Sequence, residues 1–475
     1  MSQLRIDLGQ WMQDNPASLS AAGQSAGSLL QFAIHPDELS TDSRQISPGS
    51  VFLPLSGEHF DGHSFLAQVF EQGARLAFCS QAYYAAHAAE LTGLPLLLVP
   101  DTLSAYQSLA RKWRRQLRIP VIAITGSSGK TSSKEILYQL LSPNLNLHRS
   151  QANYNNEIGV PKTLLELRPE HALCIVEMGM RGPGQIAELC AIAEPEYGLI
   201  TNVGPVHLSE LGTMEHIARA KWELADWLAQ HQGLLVINHE NSWLAELSET
   251  YPGRLLRCGK DPVNDLQLLN SEAESQGQRI SYRIGEQPEK MIWLDLEGEH
   301  QALNLLCGLG MMYALRQNLG QDLSPPQRIS VPRLFGRQQR LECAGLVLIN
   351  DAYNANPDSM KAALQVLAQQ PGRRIAVLGK MAELGPQAEV YHRDLGLICE
   401  DLDLDAVYVV GAEARPLLNS LSQVPGHYFA QKQDLTAALL AALQPGDTVL
   451  FKASRSACLE EVVSPVTQHF ANLAD

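Results

Sequence analysis

The chain has 475 residues, 45% hydrophobic and 18% charged, a globular composition too long for one ordinary domain. Its formal net charge of −15 excludes a general nucleic-acid binder, because no basic surplus exists to neutralise phosphates. Eight cysteines, at 79, 174, 190, 258, 307, 343, 399 and 458, form no C-x-x-C pair and several sit in apolar runs, so buried reduced thiols are expected rather than metal ligands or disulfides.

The N-terminus has no basic segment leading into an apolar stretch, and no run is long enough to span a bilayer, which predicts a cytoplasmic protein without membrane insertion. Near Ile119-Pro120 a basic, helix-like stretch (111–118) gives way to an apolar strand-like run, 121–124. A second change falls at Leu323-Ser324-Pro325-Pro326, where the proline pair breaks regular structure. Three domains are expected, 1–118, 119–326 and 327–475.

In the middle block, strand-like runs recur at 121–124, 173–176, 199–201 and 234–237; in the last block they recur at 347–349, 375–378, 407–410 and 448–451. Short apolar runs alternating with helical patterns indicate α/β domains with a parallel sheet covered on both faces. In such sheets ligands bind beyond the carboxyl ends of the strands.

Directly after the 121–124 run comes Thr125-Gly126-Ser127-Ser128-Gly129-Lys130-Thr131, then a helical stretch through Leu141. Strand, glycine-rich turn and helix N-terminus together make an anion site, because backbone N–H groups converge there and the helix dipole favours negative charge. Gly126, Ser127, Ser128 and Gly129 would wrap nucleotide phosphates, Lys130 would reach the terminal ones, and the Thr131 hydroxyl would ligate Mg²⁺. The loop is shorter than G-x-x-x-x-G-K-[ST], since Ile124 stands where the first glycine belongs. An ordinary Ser/Gly turn with a chance lysine is the alternative.

Glu177 ends the 173–176 run, a place where a carboxylate beside a phosphate loop can hold Mg²⁺. Taken alone, a solvated strand-end glutamate is the plainer reading. His207, in Asn202-Val203-Gly204-Pro205-Val206-His207, is by itself more often structural than catalytic. Lys221 says more. In a helix running roughly over 214–230, Ile217, Leu224 and Leu228 form one stripe at about 100° per residue, with Lys221 within about 40° of its centre. Glu215, Arg219 and Asp226 mark the solvated face. Periodicity leaves two outcomes open: the lysine snorkels outward, or it is buried and neutral and able to take up CO₂ as a carbamate that ligates metal.

Longer stretches carry a resemblance. Asn153-Tyr154-Asn155-Asn156-Glu157-Ile158-Gly159-Val160-Pro161, Glu177-Met178-Gly179 with Pro183-Gly184, Ala218-Arg219-Ala220-Lys221 and Asp351-Ala352-Tyr353-Asn354-Ala355-Asn356-Pro357 resemble the Mur ligase family, as does the short phosphate loop. In the first block Thr41-Asp42-Ser43-Arg44 and Asp61-Gly62-His63 look like the family's uridine-nucleotide-binding domain.

The resemblance implies a three-domain architecture with a central P-loop ATPase-like parallel sheet and a Rossmann-like C-terminal domain. It implies ATP, two Mg²⁺ sites and a CO₂-derived carbamate on Lys221. Lys130, Lys221 and His207 would be catalytic, with Thr131, Glu177, His207 and Lys221 holding metal. Asn304, Arg337 and Asp351 would contact ATP, while Ser43, Arg44, Asn153, Asn155, Asn156, Asn354 and Asn356 would contact substrate.

The branch most resembled adds D-Ala-D-Ala to UDP-MurNAc-tripeptide through an acyl-phosphate, acting as a monomer. Other amide ligases of the family, a folylpolyglutamate-like ligase and a P-loop phosphotransferase are the alternatives. Asn350, Ala352, Lys380 and Ala453 depart from the family pattern, all in the third block.

Overall fold

The structure is a computed structural model and describes residues 4–20, 33–57, 60–274, 276–320 and 323–472. The chain divides into two compact units. One holds the chain up to Ala123 with 145–178 and 187–195; the other holds 124–144, 179–186 and everything from Glu196 onward.

The first unit contains a five-stranded sheet in the order Ser18–Leu19, Leu96–Val99, Leu76–Ser80, Val51–Phe52 and Leu39–Ser40, parallel except at its first pair. Helix Thr102–Leu117 contains most of the basic 111–118 stretch. Asp101 caps it by accepting from the Ser104 amide, and it ends where Arg118 turns left-handed at φ 54°. Its apolar face buries Leu109 and Trp113, and the Trp113 indole donates to the Leu167 carbonyl at 3.1 Å. Strands Leu147–Arg149 and Leu173–Glu177 pair in parallel in the same unit.

Strand Val121–Thr125 spans the division. In the first unit the Pro120 carbonyl accepts from the Cys174 amide, and in the second the Thr125 carbonyl accepts from the Thr201 amide, both at 3.0 Å. The second unit continues with parallel strands Tyr197–Ile200, Leu234–Asn238, Arg254–Gly259 and Leu266–Glu274.

Beyond the runs expected from sequence the sheet continues with strands of another sense: Leu266–Glu274, Gly277–Ile284 and Lys290–Leu294 run antiparallel. The physical reason is visible in burial. Gly277–Ile284 is not buried throughout, so this end of the sheet keeps one face towards solvent, as antiparallel sheets can. After the proline pair, Arg328–Ile329 still pairs with Trp293 and Leu294, and a new sheet begins only at Gln339. That six-stranded sheet runs Gln339–Cys343, Leu346–Asn350, Thr448–Lys452, Arg374–Leu378, Ala406–Val410 and Gly426–Phe429, antiparallel only at the first pair.

All eight cysteines are free; Cys343 and Cys458 are partly exposed and the others buried. Among the described residues no helix is long and apolar enough to cross a membrane.

Candidate active site

The phosphate loop leaves a buried strand and enters helix Lys130–Leu141 through Gly129, which is left-handed at φ 79°. Neighbouring chain fixes its shape. Ser127 N–H donates to the Asn202 carbonyl at 3.0 Å, Ser128 N–H to Asn202 Oδ1 at 2.8 Å, and Ser127 Oγ to the Gly204 carbonyl at 2.9 Å. Thr201 Oγ1 donates to the Ser128 carbonyl at 2.5 Å. A methyl at Gly126 would fall 1.9 Å from Thr201 Oγ1, and one at Gly129 would fall 2.9 Å from Asn304 Oδ1. Both positions therefore require glycine, because Thr201 and Asn304 pack where a side chain would stand. The Lys130 ammonium folds back to the Gly126 carbonyl at 2.8 Å, and Thr131 is buried in the first turn.

Helix Met214–Gln230 has the bounds expected from its periodicity, with Glu215, Arg219 and Asp226 exposed. Lys221 points inward and is only 2% exposed. Burial drives its pKa well below the ordinary lysine value, and the charge of Lys130 lowers it further. The snorkelling alternative is removed, and burial disfavours the charged form of the amine.

In the first unit Glu177 is 3% exposed, its Oε1 accepts from Asn155 Nδ2 at 3.0 Å and its amide donates to Ser150 Oγ at 3.2 Å. Asn156 Oδ1 accepts from the Gly159 amide at 2.9 Å, starting helix Gly159–Leu165, and the Asn153 carbonyl accepts from the Asn155 amide. Gly159 is packed so closely that a methyl there would lie 2.5 Å from Tyr154 Cα. Arg44 pairs with Asp42 through both Nε and Nη2, and this contact holds the Asp42 carboxyl at about 2, with Lys162 adding to the shift. Ser43 lies in the same short 3₁₀ turn, Ser43–Gln45.

Asn304, in helix Glu299–Leu319, starts a relay of polar side chains. Its Nδ2 donates to Gln301 Oε1 at 3.1 Å, Gln301 Nε2 to Gln338 Oε1 at 3.2 Å, and the Gln338 amide to Asp351 Oδ1 at 3.0 Å. Burial holds His300 down to about 4, so the ring is neutral, and its Nε2 lies 3.3 Å from Gln338 Nε2. Lys452 Nζ closes the chain 2.5 Å from Asp351 Oδ2 and also donates to the Asn354 carbonyl at 3.1 Å.

The Arg337 guanidinium stacks over Tyr353 at 4.1 Å. Asn354 Oδ1 accepts from the Ala355 amide, and Asn356 forms a capping box with Ser359 that starts helix Pro357–Ala368. Gln301, Gln338 and Lys452 were not foreseen as site residues, because no motif marks them.

His207 is left-handed at φ 55° and caps the turn Leu208–Leu211. Its Nδ1 lies 2.5 Å from Glu383 Oε2, and Glu210 supplies a third nearby donor. Nδ1 makes no hydrogen bond of regular geometry, so the contact is defined by its distance. The Glu383 carboxyl sits below its usual range, chiefly because of His207, with Arg181 contributing. Glu383 also went unforeseen.

The four departures have local explanations of differing strength. Lys380 pairs with Glu413 at 2.9 Å, Asn350 Nδ2 donates to Gln339 Oε1, and Ala352 is buried in the core. The Ala453 methyl faces Gly379, where a second methyl would lie only 2.8 Å away.

Three family descriptions match the chain in order: "Mur ligase family, catalytic domain" over 35–114, "Mur ligase middle domain" over 124–312 and "Mur ligase, glutamate ligase domain" over 336–455. The UDP-N-acetylmuramoyl-tripeptide--D-alanyl-D-alanine ligase of Synechocystis sp. is 39% identical, covering 90% of this chain and 91% of its own. The chain belongs to the Mur ligase family. The enzyme of the same description from Escherichia coli is 34% identical to this Mur ligase, with 93% and 96% covered. Among solved structures, MurF from Acinetobacter baumannii superposes on this Mur ligase with a TM-score of 0.85 at 29% identity, covering 98% of this chain and all of that one. MurF from Thermotoga maritima in complex with ADP gives 0.82 at 27% identity, with 92% and 98% covered. The three-domain Mur ligase fold is thus the fold of this chain.

Proposed function

We propose that this Mur ligase joins D-alanyl-D-alanine to UDP-N-acetylmuramoyl-tripeptide using ATP, as a cytoplasmic monomer. The observation that carries this reading is similarity over nine-tenths of the chain to ligases of that description, coinciding with an intact phosphate loop.

The tripeptide's terminal carboxylate attacks the γ-phosphorus of ATP, giving an acyl-phosphate and ADP. The dipeptide amine then attacks the acyl carbon, and phosphate departs as the amide forms. Two anions must meet in the first step, so charge neutralisation and positioning dominate catalysis. Lys130, at the N-terminus of its helix, supplies positive charge beside the phosphates, and the helix dipole adds to it. Glycine at 126 and 129 lets Thr201 and Asn304 pack directly on the loop backbone and hold its shape for a polyphosphate. Asn304, Arg337 and Asp351 complete nucleotide contacts from the same unit, while Ser43, Arg44, Asn153, Asn155, Asn156, Asn354 and Asn356 serve the other substrates.

By donor type each residue of the expected metal set suits magnesium: the Thr131 hydroxyl, the Glu177 carboxylate, the His207 imidazole and the Lys221 amine, whose burial disfavours the charged form and so favours combination with CO₂. When bound, the metal offsets phosphate charge. Lys221, once carbamylated, would present oxygen rather than a repelling cation.

The test is product mass from purified protein, ATP, Mg²⁺, UDP-MurNAc-tripeptide and D-Ala-D-Ala. The expected product is the pentapeptide nucleotide, with phosphate release dependent on the dipeptide. Phosphate transfer that proceeds without the dipeptide, and without amide formation, would instead indicate a P-loop phosphotransferase.

A further inference from the structure

The loop 379–385 of the third block meets the turn that follows His207. Ser209 N–H donates to the Glu383 carbonyl at 3.2 Å, Gly385 at φ 58° lies against Ser209, and the Glu383 carboxylate reaches His207 Nδ1 at 2.5 Å. Glu383 is left-handed at φ 63° and His207 at φ 55°, conformations uncommon for residues with a Cβ. Two such residues in side-chain contact, with the Ser209 amide bonded to the Glu383 carbonyl beside them, mark a place where local preference yields to a specific geometry.

The loop is also held from behind. Met381 N–H donates to His392 Nε2 at 3.0 Å, Ala382 N–H to Ser454 Oγ at 2.8 Å, and Ser454 Oγ to the Ala355 carbonyl at 3.1 Å. His392 is fully buried and Ser454 nearly so, so the carboxylate of Glu383 is delivered by a rigid support.

We propose that Glu383 is a positioning residue for His207: its carboxylate engages Nδ1, orients the ring and leaves Nε2 as the atom free to ligate a divalent cation. A carboxylate on the far nitrogen of a ligating histidine fixes both tautomer and orientation. Because Glu383 belongs to the third block and His207 to the middle one, the histidine is set only while these two segments are docked. Docking and metal affinity are thereby coupled. This rests on the reading of His207 as a metal ligand.

The test uses the full chain with a non-hydrolysable ATP analogue and Mn²⁺, its dissociation constant read by electron paramagnetic resonance. Four variants are compared with wild type: Glu383→Gln, Glu383→Asp, His207→Ala and His207→Ala/Glu383→Gln. Glu383→Gln is expected to weaken Mn²⁺ binding by roughly tenfold or more and to lower kcat, leaving KM for the tripeptide nucleotide and the thermal midpoint near wild type. Glu383→Asp, which keeps the charge, should recover part of the affinity. On the His207→Ala background Glu383→Gln should add no further loss.

Wild-type Mn²⁺ affinity in His207→Ala would remove His207 as a ligand and the proposal with it. Weak binding in His207→Ala with wild-type binding in Glu383→Gln would overturn the positioning role alone. Additive losses in the double variant would show that Glu383 acts elsewhere, which also overturns it.

Discussion

Lys452 Nζ and Asp351 Oδ2 lie 2.5 Å apart, with Lys452 3% and Asp351 14% exposed, although 101 residues separate them in the chain. They join adjacent parallel strands at their carboxyl ends, where Asp351 N–H donates to the Phe451 carbonyl at 2.9 Å. Removing one member of a buried pair leaves the other charged and unpaired. Asp351→Ala should therefore destabilise the chain by about 3–5 kcal/mol, read as a lowered urea midpoint for loss of the third block. Asp351→Leu/Lys452→Met should recover most of it. If Asp351→Ala alone matches wild type, the pair does not hold the sheet together.

Gly126→Ala sets a methyl against Thr201 Oγ1, and Thr201 itself braces the loop through Ser128. The expected outcome is loss of nucleotide binding by tenfold or more, which is about 1.4 kcal/mol, measured with a fluorescent ADP. Relief by Gly126→Ala/Thr201→Ala should be partial at best, because the φ of 150° at Gly126 also disfavours a side chain. Unchanged affinity in the single variant would mean that this loop does not cradle phosphate.

Lys221 costs the fold stability, since burying the amine removes its hydration and disfavours its charged form. Lys221→Met, similar in volume, should raise the thermal midpoint by about 2–4 °C for each kcal/mol gained, while abolishing ligation. Lys221→Ala should be equally inactive and should regain some activity when short carboxylates are added. An active Lys221→Met enzyme would remove the residue from the mechanism.

His392 is buried, donates from Nδ1 to the Ala388 carbonyl at 2.7 Å and accepts at Nε2 from Met381. Burial pushes its pKa below the usual 6.5, outweighing the Ala388 carbonyl and Glu413, which raise it. The folded chain then binds fewer protons than the unfolded one just below that pH, so stability rises with pH there. The contribution is complete above about 6.5 and is lost as pH falls. The urea midpoint should drop on acidification from pH 7 to 5, and His392→Gln should flatten that dependence. A variant with the same slope as wild type would sink the assignment.

Local sequence determined the strand Val121–Thr125, the loop after it and both ends of helix Met214–Gln230, because periodicity and glycine placement act within a few residues. The strands of the third block were legible for the same reason: each is a short apolar run. The antiparallel end of the middle sheet was not, since Leu266–Glu274 and Gly277–Ile284 mix buried and exposed positions and neither is a continuous apolar run.

Whether Lys221 turned inward or snorkelled depended on what packs over its helix, and the sequence pattern of that helix left both outcomes open. Glu383 against His207 and Lys452 against Asp351 were decided only by tertiary structure. Each is a charge whose partner lies in a distant segment, and pairing in space has no signature in spacing along the chain. Chemistry that rests on backbone conformation can be read locally, whereas chemistry that rests on burial and long-range pairing appears only when the chain has folded.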